Sequence, residues 1–325
     1  MRGICAGFLG LAMMSPASAE DSTARETPEK PVPTLPAGFI SFPMKESAAT
    51  GFRYITIQLN GEDVNMMVDS GMGGEMVVSK KTADALGAKP QQDAGGTGVS
   101  GEVMGTISVF KSIKLMAGAE AQDVPMNVLD KPDHIQVMGP DGKTPMHFGI
   151  VGATFLAGGR VAFCPQESEL LLATAAPPGS FRKFREASGD QAFELSRGPM
   201  GEPLVEVEIK GKKYLFLIDT GAQGNTILPE IGKSLGAEVR ASNRVVSGVS
   251  QEVIAGLEEV DVEEVILGGK IPTKVNFLLL EIPLLDAFKT GGREVVGILG
   301  LDWVKGLHGR IDFDTFALLL PADRQ

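Results

Sequence analysis

Two short stretches of this sequence place a lone acid between apolar runs. Phe216-Leu217-Ile218-Asp219-Thr220-Gly221-Ala222 leads on to Ile227-Leu228, and Met66-Met67-Val68-Asp69-Ser70-Gly71-Met72 leads on to Val77-Val78. In each, the apolar residues read as the end of one buried strand and the start of the next. The acid therefore sits on a turn whose small residues let other backbone approach. An unpaired carboxylate in such a place is costly unless it is paired or has chemistry to perform. A single Asp-Thr-Gly in a chain of 325 residues reads as an ordinary turn. The repetition is what argues for chemistry.

Asp69 and Asp219 stand 150 positions apart. The same interval separates Gly61 from Gly211, Gly74 from Gly224, Gly98 from Gly248 and Arg160 from Arg310. Gly98-Val99-Ser100 recurs as Gly248-Val249-Ser250, Ile150-Val151-Gly152 as Ile298-Leu299-Gly300, and Arg160-Val161-Ala162-Phe163 as Arg310-Ile311-Asp312-Phe313. The chain is thus a duplicated domain. Two homologous halves tend to pack about a pseudo-twofold axis, so an element near the axis meets its own copy. Two carboxylates brought together in this way share one proton and titrate as a coupled pair. The ionised member can take a proton from water while the protonated member donates to a carbonyl oxygen. That is an arrangement for hydrolysing a peptide bond without a covalent intermediate.

The elements that position these acids are strands. Tyr54-Ile55-Thr56-Ile57-Gln58-Leu59 alternates, Asn60-Gly61 turns, and Val64 to Val68 returns toward Asp69. Ser79 to Leu86 reads as a short helix with Ser79 as N-cap. Gly96 to Val103 reads as a glycine-rich hairpin. Its spacing fits the dinucleotide-binding fingerprint, but no helix follows and no βαβ unit surrounds it. In the second half Val205 to Ile209 alternates, Gly211 turns, and Tyr214 to Ile218 leads into Asp219. The acidic run Glu258 to Glu264, interleaved with Val260 and Val262, reads as the solvated face of a strand.

Composition agrees with many short strands joined by tight turns: 43% hydrophobic residues, 41 glycines and 20 prolines. A net charge of −11 argues against nucleic acid and anionic membranes as partners. Arg2, the apolar run from Ile4 to Met14 and Ser15-Pro16-Ala17-Ser18-Ala19 read as an export signal over residues 1–19 with cleavage after Ala19. An uncleaved N-terminal anchor is the other reading. Cleavage leaves Cys164 as the one cysteine, so no internal disulfide can form. Residues 20–37, rich in proline and charge, read as a disordered leader. The first lobe is placed at 38–173, a linker with one helical turn at 174–191, and the second lobe at 192–325. The three histidines lie at no metal-ligand spacing, and neither metal nor cofactor is expected.

The two acid loops resemble those of the aspartic peptidases of the retropepsin and pepsin kind. Ile218-Asp219-Thr220-Gly221-Ala222 with Ile227-Leu228 is similar to the retropepsin active-site loop, and Ile298-Leu299-Gly300 and Ile150-Val151-Gly152 to the family's second signature. The resemblance runs from Phe39 to Leu320. It implies an all-β fold of two tandem retropepsin-like β-barrel lobes related by a pseudo-twofold axis, a monomer that is an internal pseudo-dimer. Asp69 and Asp219 would be the catalytic dyad of an exported, periplasmic or secreted endopeptidase acting on peptides or proteins. Ser70 and Thr220 would lock the loops together, and Gly71 and Gly221 would admit backbone amides to the carboxylates. Ser100, Gly101, Ser250 and Gln251 would lie on flaps over the substrate. Three departures stand out. Met72 occupies a position usually small, neither flap carries the pepsin tyrosine, and Cys164 stands where the second half has Asp314. The competing reading is an inactive two-lobed protein that clamps a peptide or envelope ligand in the same cleft.

Overall fold

The computed structural model describes residues 35–47, 51–98, 101–115, 120–129, 147–248, 253–283, 285, 288 and 292–322, together with 6–7 and 11–14, and describes the backbone alone at 6–7, 11–14, 96–98, 101–103, 247–248 and 253. Each half is built on one large sheet that closes on itself. In the first, Arg53–Leu59 pairs with Glu62–Val68 and also with Gly101–Lys114, so the sheet curls into a barrel. In the second, Pro203–Ile209 makes the matching pairs with Lys212–Asp219 and Glu258–Leu267. Closure leaves few open edges and an enclosed apolar interior.

The expected turns are where the spacing puts them. Asn60 and Gly61 have φ of 51° and 86°, and their copies Lys210 and Gly211 have 51° and 77°. Two successive left-handed residues are what a two-residue hairpin turn requires. Arg53–Leu59 alternates buried and half-buried along its length. The acidic strand Glu258–Leu267 buries Val260, Val262 and Val265 and turns its carboxylates outward, as expected. Ser79 caps the helix Lys80–Ala85, its hydroxyl accepting from the Thr82 N–H at 3.0 Å. Trp303 is core, 6% exposed.

A third sheet joins the halves. Its six strands run Gln191–Glu194, Ala317–Leu320, Arg310–Asp312, Val161–Cys164, Glu169–Ala173 and Phe39–Pro43. The seam between halves pairs Ala162 with Asp312 and Phe163 with Ile311, copy against copy about the pseudo-twofold. The helical turn expected in residues 174–191 is the eight-residue helix Ser180–Ala187. The polar loop expected from Lys131 to Pro145 lies outside the described residues.

This seam accounts for Cys164. The Arg160 guanidinium forks onto Asp314 across the sheet at 2.9 and 3.0 Å, and Asp314 also accepts from the Gly179 N–H at 2.7 Å. The mirror-related bond would join Arg310 to residue 164. Arg310 instead meets Glu167 and Asp190, so a carboxylate at 164 is not needed and a buried free thiol fills the space. Burial pushes the Cys164 thiol well up, which keeps it unreactive. For Asp314, burial raises the pKa, but the Arg160 guanidinium and the Gly179 N–H outweigh it and hold the carboxyl below its ordinary value. Arg160→Met strips a partly buried carboxylate of its partner and costs about 1–3 kcal/mol by urea unfolding. Because the carboxyl is depressed in the fold, that contribution is present at neutral pH and fades as pH falls through its folded pKa.

Candidate active site

Each acid stands at the end of a strand whose neighbours fix it. Phe148–Val151 runs between Glu62–Val68, to which it is parallel, and Met76–Ser79, to which it is antiparallel. Val295–Gly300 lies in the same way between Lys212–Asp219 and Asn225–Ile227. The loops that leave Val68 and Ile218 are thus straddled by a strand of their own lobe. The glycine ending that strand must be bare. A Cβ on Gly152 would lie 2.7 Å from the Met72 carbonyl oxygen, and one on Gly300 would lie 2.7 Å from that of Ala222. The next amides close the contact, Ala153 N–H donating to Met72 O at 2.8 Å and Leu301 N–H to Ala222 O at 2.7 Å.

The two loops are clasped across the axis by four hydrogen bonds. Ser70 N–H donates to Thr220 Oγ1 and Thr220 N–H to Ser70 Oγ, both at 3.0 Å. Ser70 Oγ–H donates to Ile218 O and Thr220 Oγ1–H to Val68 O, both at 2.8 Å. Every one runs between lobes and is buried. Four such bonds rigidify both loops at about 1 kcal/mol each. Ser70 and Thr220 thus bond each loop to the other.

Inside the clasp lie the two carboxyls, both with no exposed surface. Asp69 Oδ1 accepts from the Gly71 and Met72 N–H groups, each at 2.9 Å, and Asp219 Oδ1 from the Gly221 N–H at 2.8 Å. The two carboxyls lie close enough for each to perturb the other directly. Their Oδ2 atoms have no donor among the described residues. Buried oxygens left without donors need a proton or a bound molecule.

Burial, then the charge of Asp219, then the hydrogen bond between the two push Asp69 well above the ordinary carboxyl value. Burial also raises Asp219, to about 7, with the hydrogen bond from Asp69 and the Gly221, Gly71 and Ala222 amides pulling it back. The pair thus holds one proton over a range of pH and titrates as a unit.

Gly71 and Gly221 each abut the opposite acid. A Cβ on Gly71 would lie 2.7 Å from Asp219 Oδ1, and one on Gly221 would lie 2.6 Å from Asp69 Oδ1. Gly221→Ala must displace a buried carboxyl, which costs about 1–3 kcal/mol in chemical denaturation and weakens the coupling of the pair in an NMR titration.

Met72 does not crowd its loop. It is 1% exposed and packs with Phe52, Met67, Val77, Leu129, Phe148 and Ile150, filling space beneath the first loop. Of the flap residues, Gly101 pairs with Gly98 at the end of the first hairpin, while Ser100, Ser250 and Gln251 lie outside the described residues. The second hairpin pairs Val245–Gly248 with Val253–Ile254. Val246 packs in one cluster with Ala222 and Leu217, which seats this flap on the second acid's loop.

The sequence reading missed the cross-lobe hairpin turns. Gly201 nests on the first-lobe helix Ala153–Gly158, where the Thr154 hydroxyl donates to Met200 O at 2.8 Å. Gly51 meets Gln223 of the second lobe. These glycines also stand 150 positions apart, so the repeat carried the signal. A cavity of about 450 Å³ lined by Asn225, Thr273, Asn276, Asp302 and Trp303 lies on the second lobe, and neither acid lines it. Among the described residues no cluster of His, Cys, Asp and Glu could hold a metal ion.

Two acid-bearing loops clasped between two closed β lobes define a fold of the aspartic-protease type. The chain belongs to the aspartyl protease family, whose sequence model matches it twice, over residues 55–155 and 205–303, together more than half its length. A search of curated proteins finds no match. Among solved structures it is similar to the crystal structure of basic 7S globulin from soybean, at 10% identity and a TM-score of 0.43, covering 88% of this chain and 95% of that one. No part of the functional reading rests on that likeness.

Proposed function

We propose that this protein is an exported aspartic endopeptidase that hydrolyses peptide bonds with water activated by Asp69 and Asp219. The observation that carries the reading is the pair of wholly buried carboxyls, each against the glycine of the other's loop, whose Oδ2 atoms have no donor among the described residues. Asp219, the ionised member, takes the proton of a water. Asp69, the protonated member, donates to the carbonyl oxygen of the scissile bond; as the tetrahedral species collapses, Asp219 passes its proton to the nitrogen, which leaves as an amine, and Asp69 takes one back from the hydroxyl. Ser70 and Thr220 are positioning residues that hold the acids in register, and Ser100, Gly101, Ser250 and Gln251 would cover the substrate. Among the described residues no helix is long and apolar enough to cross a membrane.

The test is cleavage of a denatured protein by the chain lacking residues 1–19, recovered after export, across roughly pH 5 to 8. Cleavage abolished by Asp69→Asn and by Asp219→Asn supports one shared site. Retained peptide binding without cleavage of any substrate overturns the peptidase reading and leaves a binding protein. Loss on Asp219→Asn alone would replace the internal dyad with pairing between chains.

A further inference from the structure

The cavity on the second lobe lies where the strand Ile271–Leu279, paired in parallel with Asn225–Ile227, meets the helix Leu301–Gly306. Its volume of about 450 Å³ is within the ~300–1,000 Å³ usual for a ligand pocket. Trp303 and Leu307, both buried, give it an apolar wall. Most of its polar groups are committed elsewhere. Asn276 donates through Nδ2 to Asp261 at 2.8 Å and accepts from Arg244 through Oδ1. The Thr273 hydroxyl donates to Val265 O at 3.0 Å, and the charge of Lys274 is met by Glu263 at 2.7 Å. Asn225 Oδ1 accepts from the Gly300 N–H at 3.0 Å. Asp302 is the exception. Its carboxyl has neither a hydrogen-bond donor nor an ion-pair partner among the described residues, and Lys305 turns instead to Glu46 at 3.5 Å. Asp302 keeps exposed surface, so a ligand can reach it, while partial burial raises its carboxyl above the ordinary value, with Lys305 pulling it down and Glu46 pushing it up. The cavity therefore presents one unbalanced charge, negative, beside an aromatic wall. That combination selects a cation carried on an apolar stem. A guanidinium suits it better than an ammonium, because its planar fork matches a carboxylate and stacks on aromatic rings. The cavity is also tied to the second acid's loop, since the Asp302 N–H donates to Gln223 O at 3.1 Å.

We propose that this cavity binds a guanidinium group, the side chain of an arginine in a polypeptide or a free guanidine of similar size, with Asp302 taking the charge and Trp303 packing along the stem. The site is separate from the two acids and does not rest on the peptidase reading above.

Trp303 is the one tryptophan of the chain, so its emission and its indole N–H resonance report on this cavity alone. The protein is titrated with N-acetyl-L-arginine amide, with the citrulline amide of the same shape and no charge, and with a capped alanine–serine decapeptide carrying one central arginine or citrulline. The arginine probes should change the Trp303 signals saturably, with the citrulline probes at least tenfold weaker. Asp302→Asn should weaken the arginine probes about tenfold at an unchanged melting temperature, since its carboxyl supports no bond in the fold. Equal binding of arginine and citrulline probes, equal binding by the parent and Asp302→Asn, or no saturable change with either arginine probe overturns the proposal. The citrulline comparison needs no variant, so it holds even where Asp302→Asn fails to fold. A decapeptide at least tenfold tighter than the amide assigns the site to a polypeptide's arginine, and equal affinities assign it to a free guanidine; the guanidinium site stands in both. No cleavage is measured, so a failure of the peptidase reading leaves these outcomes as they are.

Discussion

Asp219→Asn lowers cleavage of a denatured protein by about a thousandfold or more while the melting temperature at acid pH stays near that of the parent. General acid–base catalysis alone is worth ~10²–10⁴ in rate, and here one substitution removes the base and the charge that poises the acid. The fold survives because an amide oxygen can accept the Gly221 N–H in place of Asp219 Oδ1, and the clasp between Ser70 and Thr220 does not pass through either carboxyl. Asp69→Asn has the same effect through the other role. The double variant is no worse than either single one, because the two acids act as a unit. Initial rates on a quenched peptide mixture, with circular dichroism as the control for folding, measure this. A variant within a few-fold of the parent would sink the assignment of the pair.

The second large effect concerns pH, and its sign is opposite to that of most carboxylates. Asp219 is raised from 3.8 to about 7 by burial, so between those values the folded state binds a proton that the unfolded state has released. Stability therefore falls as pH rises, with Asp219 alone contributing ~1.4 kcal/mol for each pH unit of that range. Asp69, held higher still, adds to the decline over the same range and continues it above. Urea unfolding should show the parent losing stability from pH 4 to 8 and Asp219→Asn losing less, with the share due to buried Asp69 remaining. Equal slopes would mean that the acid is not held in its neutral form. Activity follows the same titration: with one proton needed on the pair, the ascending limb of the pH–rate profile lies near 7 and not at strongly acid pH.

Much of this was legible because the chain states its design twice. The interval between Gly61 and Gly211 marks two left-handed turns, and that between Gly71 and Gly221 marks two places where a side chain would collide with a carboxyl. The pairing of Asp69 with Asp219 followed from duplication plus a twofold. What local sequence could not show is where a residue's space comes from. Met72 looks too large for its loop until the bare Gly152 and the pocket among Phe52, Met67 and Phe148 are seen. Cys164 looks like a lost partner until Arg310 is found on Glu167 and Asp190, groups that are 143 and 120 positions away. The sheet joining the halves was invisible for the same reason, since strands so far apart pair through tertiary context.

That shared sheet also bears on how the chain is made. Val161–Cys164 is wholly buried, and the strand that covers its outer edge is Arg310–Asp312, near the far end of the chain. As the polypeptide emerges from the ribosome, the first lobe can close its barrel early, yet Phe163 and its neighbours keep an open, sticky border until almost the last strand arrives. An apolar edge waiting that long invites pairing with another nascent chain. The first half thus depends for its solubility on a sequence that has yet to be translated, and a truncated product would carry the hazard permanently.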